Sequence, residues 1–441
     1  MFGQSAEMLP QLMDPESSIQ ITKDEATWIA SMLTIGTLIS SFICGLIGDI
    51  FGRLRMIQLS LFLTATGYAV IAGAPNFMMI IIGRFLCGLG FGFTFPGMIY
   101  VGEASPPKYR GSFLTLISIF SSVGLCFMFI IGALLPWNLI SGLMCLVSVI
   151  SFASTFLYYD TPQWLLQKGK TELALKSLRR IEHPANVDYR MVELRDATQR
   201  QKEDSFAVGF GIFLEPTVWK PLLMNAALSF LQNGSGFYIM IYYSVDLVQA
   251  FKTNLDAHLV TMALGVTRII ATVISSFLLR RMGRRIVGAI SGFSSMVPLL
   301  LIYAFLVLRP KYPELAERYS WIPSCSLVAF VLTTGLGIYP LPWTMPSEMF
   351  PIKVRGLMCG ICFAALNLSM FFSLKLYNVM LDYLKIEGTI ILFTVFSMAF
   401  GIFSLTVLLE THNKTLDEIR LEFSGNRFRK SGGDQSHRTR I

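Results

Sequence analysis

Charge is scarce in this sequence: only 15% of its 441 residues are Asp, Glu, Lys or Arg. That is too little polar surface to keep a folded chain of this length in water, so a soluble globular protein is excluded. Cysteine is sparse as well. The seven (Cys44, Cys87, Cys126, Cys145, Cys325, Cys359 and Cys362) fall nearly all inside apolar stretches, which leaves no disulfide framework. Cys359 and Cys362 have CxxC spacing without a partner pair, so neither zinc nor redox chemistry is expected. No loop carries a Walker glycine run, an HExxH or a GxSxG, so no catalytic residue is nominated, no cofactor or metal is assigned, and an enzyme is not expected.

What is abundant is apolar surface: 53% of the residues are hydrophobic, with a mean hydropathy of +0.58. About 20 apolar residues suffice to cross a hydrocarbon layer of roughly 30 Å. Eleven such stretches recur, at about 28–48, 56–74, 77–101, 112–135, 139–159, 222–249, 257–279, 286–308, 321–347, 357–381 and 389–409. The fold class is therefore an all-α polytopic membrane protein, with the lipid bilayer as its first partner.

The net charge of +8 reports topology. Of 36 Lys and Arg residues, 27 lie on one side of the membrane (52–55, 108–110, 160–220, 280–285, 353–355 and 410–441) and six on the other: Lys23, Lys252, Arg309, Lys311, Arg318 and Lys385. Arg84, Arg268 and Lys375 lie within spans. The basic side is the cytoplasm by the positive-inside rule, which puts the C-terminus there and argues against a nucleic-acid partner. The tail "SGNRFRKSGGDQSHRTRI" (424–441) lacks apolar content and is expected to be disordered.

The chain repeats. "GDIFGRLR" (48–55) corresponds to "LRRMGRR" (279–285), "GEASPPKYRG" (102–111) to "SEMFPIKVRG" (347–356), and "DTP" (160–162) to "ET" (410–411). Two homologous halves follow: an N-terminal bundle over 1–159 and a C-terminal bundle over 221–410. Residues 160–220 join them as a charged cytoplasmic linker with short amphipathic helices, and 411–441 form the tail. In this register the chain starts partway through the expected first helix, of which "SAEMLPQL" would be the outer end. The expectation is a chain lacking most of that helix, as a shortened isoform or an incomplete gene model.

Polar residues inside spans are functional candidates by default. "LQNGSGFY" (231–238) supplies Gln232 and Asn233, whose side-chain amides both donate and accept and so suit a hydroxyl-rich solute. Arg268 lies near mid-span and must face an aqueous path or a partner. In "YPLPWTMPSEMFPIKVRG" (339–356), prolines 340, 342 and 346 remove backbone donors and free carbonyls that only protein or cavity water can satisfy.

Five motifs in order resemble the sugar porter branch of the major facilitator superfamily: "GRFLCGLGFG…YVGEASPPKYRG" (83–111), "DTPQWLL" (160–166), "RMGRR" (281–285), "PLPWTMPSEMFPIKVRG" (340–356) and "ETHNKTLDEI" (410–419). Within that branch the chain is most similar to the insect facilitated trehalose transporters. The resemblance spans about 28–420 and implies two pseudo-symmetric six-helix bundles around a central, alternately exposed solute site, here with about eleven helices. It implies that Arg53, Glu103, Arg110, Arg284, Arg285, Glu348 and Arg355 form a cytoplasmic charge network. In the family that network locks the bundles while the site faces outward, and opening inward breaks it. It assigns the solute path to Gln232, Asn233, Trp343 and Asn367. Tyr238 stands where the family has asparagine, Ser118 where many members have glutamine, Arg268 where an asparagine is usual, Gly335 where mammalian relatives carry an acid, and Leu368 where a tryptophan follows the asparagine.

The resemblance implies transport of a hexose or trehalose across the plasma membrane by a multi-pass, monomeric porter. No carboxylate sits near the middle of an apolar stretch, which favours facilitated diffusion over proton coupling. Two rivals stay open: a non-transporting sensor or inactive form, and a porter of a different small polar or charged solute, suggested by Arg268.

Overall fold

The computed structural model describes residues 2–17, 19–105, 109–204, 214–251, 253–350, 354–412, 414 and 416–423, and the tail 424–441 lies outside them. The first half runs α1 (Phe2–Met13), α2 (Lys23–Phe51), α3 (Arg53–Ala72), α4 (Phe77–Gly92), α5 (Phe95–Ala104), α6 (Arg110–Gly132) and α7 (Trp137–Thr155). Three short helices follow: α8 (Pro162–Gln167), α9 (Thr171–Ile181) and α10 (Val187–Asp204). The second half runs α11 (Pro216–Gly234), α12 (Phe237–Tyr242), α13 (Ser244–Ala250), α14 (Ala257–Arg281), α15 (Arg284–Leu308), α16 (Pro313–Arg318), α17 (Ile322–Leu336), α18 (Leu341–Met349), α19 (Arg355–Lys375), α20 (Tyr377–Thr406) and α21 (Leu416–Phe423).

Helix starts are set by side-chain acceptors that satisfy otherwise orphaned N–H groups. Thr22 and Glu25 form a reciprocal capping box at α2, Asn76 caps α4, and Asp256 caps α14. Among the described residues, ten segments are long and apolar enough to cross a membrane. The expected span 222–249 is not one of them: Gly236 adopts φ +77°, a left-handed conformation that breaks the chain into α11, α12 and α13. The expected span 357–381 is present as Arg355–Lys375, with an earlier end. Helix α19 ends at Lys375, and Lys385 (φ 55°) interrupts α20 before its long apolar part begins.

The apolar content divides by direction. Large side chains such as Phe120, Ile150, Leu259 and Val297 are exposed along the outside, as lipid-facing residues are. Small and hydroxyl-bearing residues point inward. The halves meet where α2 packs on α19 and α6 on α14. At the first contact, a Cβ on Gly360 would lie 3.0 Å from the Gly45 Cα and from the Ser41 carbonyl, so the backbones touch only because both residues are glycine. At the second, Ser122 and Thr272 share a 2.8 Å hydrogen bond.

Helix α1 is short but deeply set, with Gln4, Ser5, Glu7, Met8, Leu9 and Leu12 all buried. Gln4 Nε2 donates to Ser141 Oγ (2.7 Å), and Gln11 Oε1 accepts from the Trp137 N–H (2.7 Å), which fixes α1 to α7. Across the seam, the Glu7 carboxylate lies 3.0 Å from His258 Nδ1 of α14. The linker helices α8–α10 gather Trp164, Leu165, Leu166, Ala174, Leu178, Val187 and Met191 into a small core of their own.

Candidate functional site

Two regions concentrate polar side chains: the ends of the helices on the basic face, and the breaks in α11–α13 and α17–α18. On the basic face the repeat motifs become two matching clusters. In the first half, Arg53 Nη2 lies 3.1 Å from Glu103 Oε1, and Thr161 Oγ1 donates to Glu103 Oε2 (2.5 Å). Asp160 accepts from the backbone N–H of Leu54 (3.3 Å) and of Thr161 (2.8 Å). In the second half, Arg284 holds Glu348 with two hydrogen bonds, Nε to Oε2 (3.2 Å) and Nη2 to Oε1 (2.9 Å), and Thr411 Oγ1 donates to the same Oε2 (2.5 Å). Glu410 accepts from the N–H groups of Arg284 (2.8 Å), Arg285 (3.2 Å) and His412 (3.0 Å).

Asp160 and Glu410 thus do the work of N-caps from a distance. Helices α3 and α15 start at Gly52 and Gly283, which have no capping side chain, and a carboxylate from the end of the last span in each half takes the free donors instead. Burial pushes the Asp160 carboxyl above the usual aspartate range, against the N–H groups of Thr161 and Leu54 and the charge of Arg53. At Glu410 burial also pushes upward, but the donors at His412, Arg284 and Arg285 outweigh it, and the carboxyl sits below the usual glutamate range.

The structure places these pairs inside each half. Arg285 donates from Nη2 to the Leu405 carbonyl (2.5 Å), and Arg355 Nε donates to the Phe350 carbonyl (3.2 Å). Arg110 opens α6, and its side chain lies outside the described residues. Between the halves on this face, Arg280 Nη2 reaches Thr115 Oγ1 (3.1 Å).

The proline-rich stretch makes the second region. In an unbroken helix the Ile338 carbonyl would accept the N–H of residue 342, which is proline and has none. Gln232 Nε2 takes that carbonyl (3.0 Å) and the Tyr339 carbonyl (2.9 Å) together. Ser291 Oγ accepts the stranded Ile338 N–H (2.9 Å) and donates to Thr333 (2.7 Å). The neighbouring Asn233 directs Nδ2 to Ser229 O (2.9 Å) and to Ser369 Oγ (2.8 Å), and Asn367 directs its own Nδ2 to Phe363 O (2.8 Å). With each amide nitrogen aimed at an acceptor, the oxygen end is defined. Gln232 Oε1, Asn233 Oδ1 and Asn367 Oδ1 are all buried and accept no hydrogen bond among the described residues. Buried acceptors of this kind are costly unless a ligand or water donates to them.

Trp343 donates from Nε1 to Tyr238 Oη (3.1 Å), which brings two of the expected path residues together. Its ring also faces Phe363 and Phe95 at 5.5 and 6.0 Å, and Phe95 stacks on Phe363 at 4.2 Å. Phe95 belongs to the first half and Phe363 to the second, so this stack is a contact between the two halves. Sequence reasoning missed it, because a phenylalanine in an apolar helix carries no mark that separates such a contact from a lipid contact. Arg268 sits within a residue of the middle of α14, where a charge costs roughly 2.5–3.5 kcal/mol on insertion scales. It stacks on the rings of Tyr339 (3.8 Å) and Phe237 (5.2 Å). Ser118 is exposed on α6, where its carbonyl accepts from Ser122 (3.2 Å), and it is not brought into this cluster. Sequence reasoning also passed over Glu7, whose partner His258 lies 251 positions away.

The chain is similar to known proteins over most of its length. The family profile described as "Sugar (and other) transporter" matches residues 3–423. The chain is 28% identical to the facilitated trehalose transporter Tret1 of Bombyx mori over 95% of its own length and 83% of that protein's, and 29% identical to Tret1 of Apis mellifera ligustica over 93% and 82%. Among solved structures, it superposes on the inward open xylose transporter XylE from E. coli with a TM-score of 0.75, covering 96% of this chain and 95% of that one at 17% identity. The structure of XylE, a proton:xylose symporter of the major facilitator superfamily, bound to 6-bromo-6-deoxy-D-glucose gives a TM-score of 0.70 over 96% of each chain. The shared architecture is therefore the major facilitator fold. With a profile match from residue 3 to residue 423, this multi-pass membrane protein belongs to the sugar (and other) transporter family.

Proposed function

We propose that the chain carries a sugar down its gradient across the plasma membrane by alternating access, with the C-terminus in the cytoplasm. The observation that carries this reading is the set of three buried amide oxygens, on Gln232, Asn233 and Asn367, beside two broken helices. Acceptors fixed in this way call for a ligand rich in donors, and a sugar offers a hydroxyl on almost every carbon. Trehalose and hexoses are the first solutes to test, given the relatives named as trehalose transporters. Tyr238 and Trp343 supply an aromatic wall. Rocking of the halves about the α2–α19 and α6–α14 seams would part the Phe95–Phe363 stack on one side of the site.

In this reading the paired acids and arginines at the helix ends hold each half rigid and bias the equilibrium between its two positions. Arg110, Arg285 and Arg355 belong to the same system. The test is uptake of labelled trehalose and glucose by transport-deficient cells expressing the 441-residue chain, with surface delivery confirmed. Saturable uptake lost in Gln232→Ala is the expected result. Surface-delivered protein without uptake of either sugar would favour a non-transporting role.

A further inference from the structure

Arg268 is the feature that sugar recognition alone leaves unexplained. It is 8% exposed, and its Nε is buried with no acceptor among the described residues. Among the described residues, no carboxylate lies within ion-pair distance of it. The other fully buried charges fall elsewhere. Arg53 and Asp160 belong to the cytoplasmic cluster, Arg84 sits on α4 with Nη2 at 3.9 Å from Met8 Sδ, and Glu7 faces His258. The guanidinium lies over the rings of Tyr339 (3.8 Å) and Phe237 (5.2 Å), contacts that leave its N–H donors for a ligand. Tyr339 is also the residue whose carbonyl Gln232 holds at 2.9 Å. One residue therefore joins the buried cation to the amide-oxygen cluster. Tyr339 thus touches the cation with its ring and the Gln232 amide with its carbonyl.

We propose that the central site takes a hydroxyl-rich monocarboxylate, a sugar acid. Its hydroxyls donate to the amide oxygens of Gln232, Asn233 and Asn367, and its carboxylate accepts from the edge of Arg268. A carboxylate there gives the cation the charge-assisted hydrogen bonds it lacks in the free protein, and removing a neutral solute from water leaves that cation unrelieved. This inference rests on the sugar-porter reading of the same site and narrows it to an anionic member of the class.

The experiment compares D-glucuronate with D-glucose, which differ only at C6, on the purified 441-residue chain in lipid nanodiscs. Binding is read by competition or by calorimetry. The expected result is tighter binding of glucuronate by roughly tenfold or more. The glucuronate-to-glucose affinity ratio is expected to collapse in Arg268→Gln and to be kept in part in Arg268→Lys, which retains the charge without the fork. A melting curve checks that each variant is folded. Glucose binding as tightly as glucuronate in the unaltered chain would overturn the proposal while leaving the sugar reading intact. Equal loss of both ligands in Arg268→Gln would also overturn it, by showing that the cation only positions Tyr339. Failure of the folded chain to bind glucuronate or glucose while it binds trehalose would overturn this inference alone, and failure to bind all three would remove the sugar reading with it.

Discussion

The two clusters on the basic face are built from the same positions in each half, yet their capping acids differ in strength. Asp160 at the end of the first half and Glu410 at the end of the second each accept N–H groups from the start of the helix they cap, α3 and α15. Asp160 is buried to 9% exposure, and desolvation wins; Glu410 is more open, and its three backbone donors win. Both carboxylates take backbone donors, Asp160 from Arg53, Leu54 and Thr161 and Glu410 from Arg284, Arg285 and His412, so burial makes the difference. A repeated motif therefore fixes the geometry of a cluster without fixing its electrostatics, which depend on how deep the acid sits.

The comparison can be broken most sharply at the ion pairs. Glu348→Gln leaves Arg284 without its two-point acceptor, and Glu103→Gln does the same to the Arg53 contact. Each pair is partly buried, so we expect a loss of roughly tenfold or more in uptake at unchanged surface delivery. Equal losses would mean that the halves contribute symmetrically. A loss in one variant alone would mean that one half sets the equilibrium.

A smaller effect is expected at the capping acids at pH 7. Glu410→Gln removes a charged acceptor from three donors and should cost about 1–3 kcal/mol, lowering the melting temperature of the solubilised protein by a few degrees. Asp160→Asn removes a charge that burial already disfavours and should leave the melting temperature nearly unchanged or raise it. A drop at position 160 as large as that at 410 would contradict the opposite shifts.

The pH dependence follows with signs opposed. The stability from Glu410, whose folded pKa is lowered, is present above its ordinary value of 4.5 and fades as the pH falls through that region and below. Asp160 has a raised folded pKa, so its favourable, protonated form prevails below the ordinary value of 3.8 and is lost as the pH rises through the raised pKa. Melting curves between pH 7 and 4 should show a loss on acidification that is reduced in Glu410→Gln and deepened in Asp160→Asn. The smallest effect is reserved for Trp343→Phe, which keeps a ring against Phe363 but removes the 3.1 Å bond to Tyr238. About 1 kcal/mol, a few-fold change in the KM for uptake, is expected.

The parts of the fold carried by length and apolar content were legible in the sequence, as was the recurrence of the acids and arginines in the same order in both halves. The break at Gly236 was not. It lies inside the apolar stretch 222–249, so composition reads straight across a left-handed residue. The proline-rich break was legible as a break, but not the fact that Gln232 repairs it from another helix, 106 residues away. The Phe95–Phe363 stack and the Glu7–His258 contact depend on helices meeting across the seam, and neither leaves a periodic trace along the chain.

The central claim is that the buried amide oxygens form a sugar site that the two halves expose in turn. It is tested most directly by counterflow of labelled trehalose and glucose in proteoliposomes containing the 441-residue chain, alongside Gln232→Ala. The account predicts saturable, protein-dependent counterflow of at least one of these sugars, lowered about tenfold or more in the variant. Folded, correctly inserted protein that exchanges neither sugar, or a Gln232→Ala variant that exchanges as well as the unaltered chain, would contradict it.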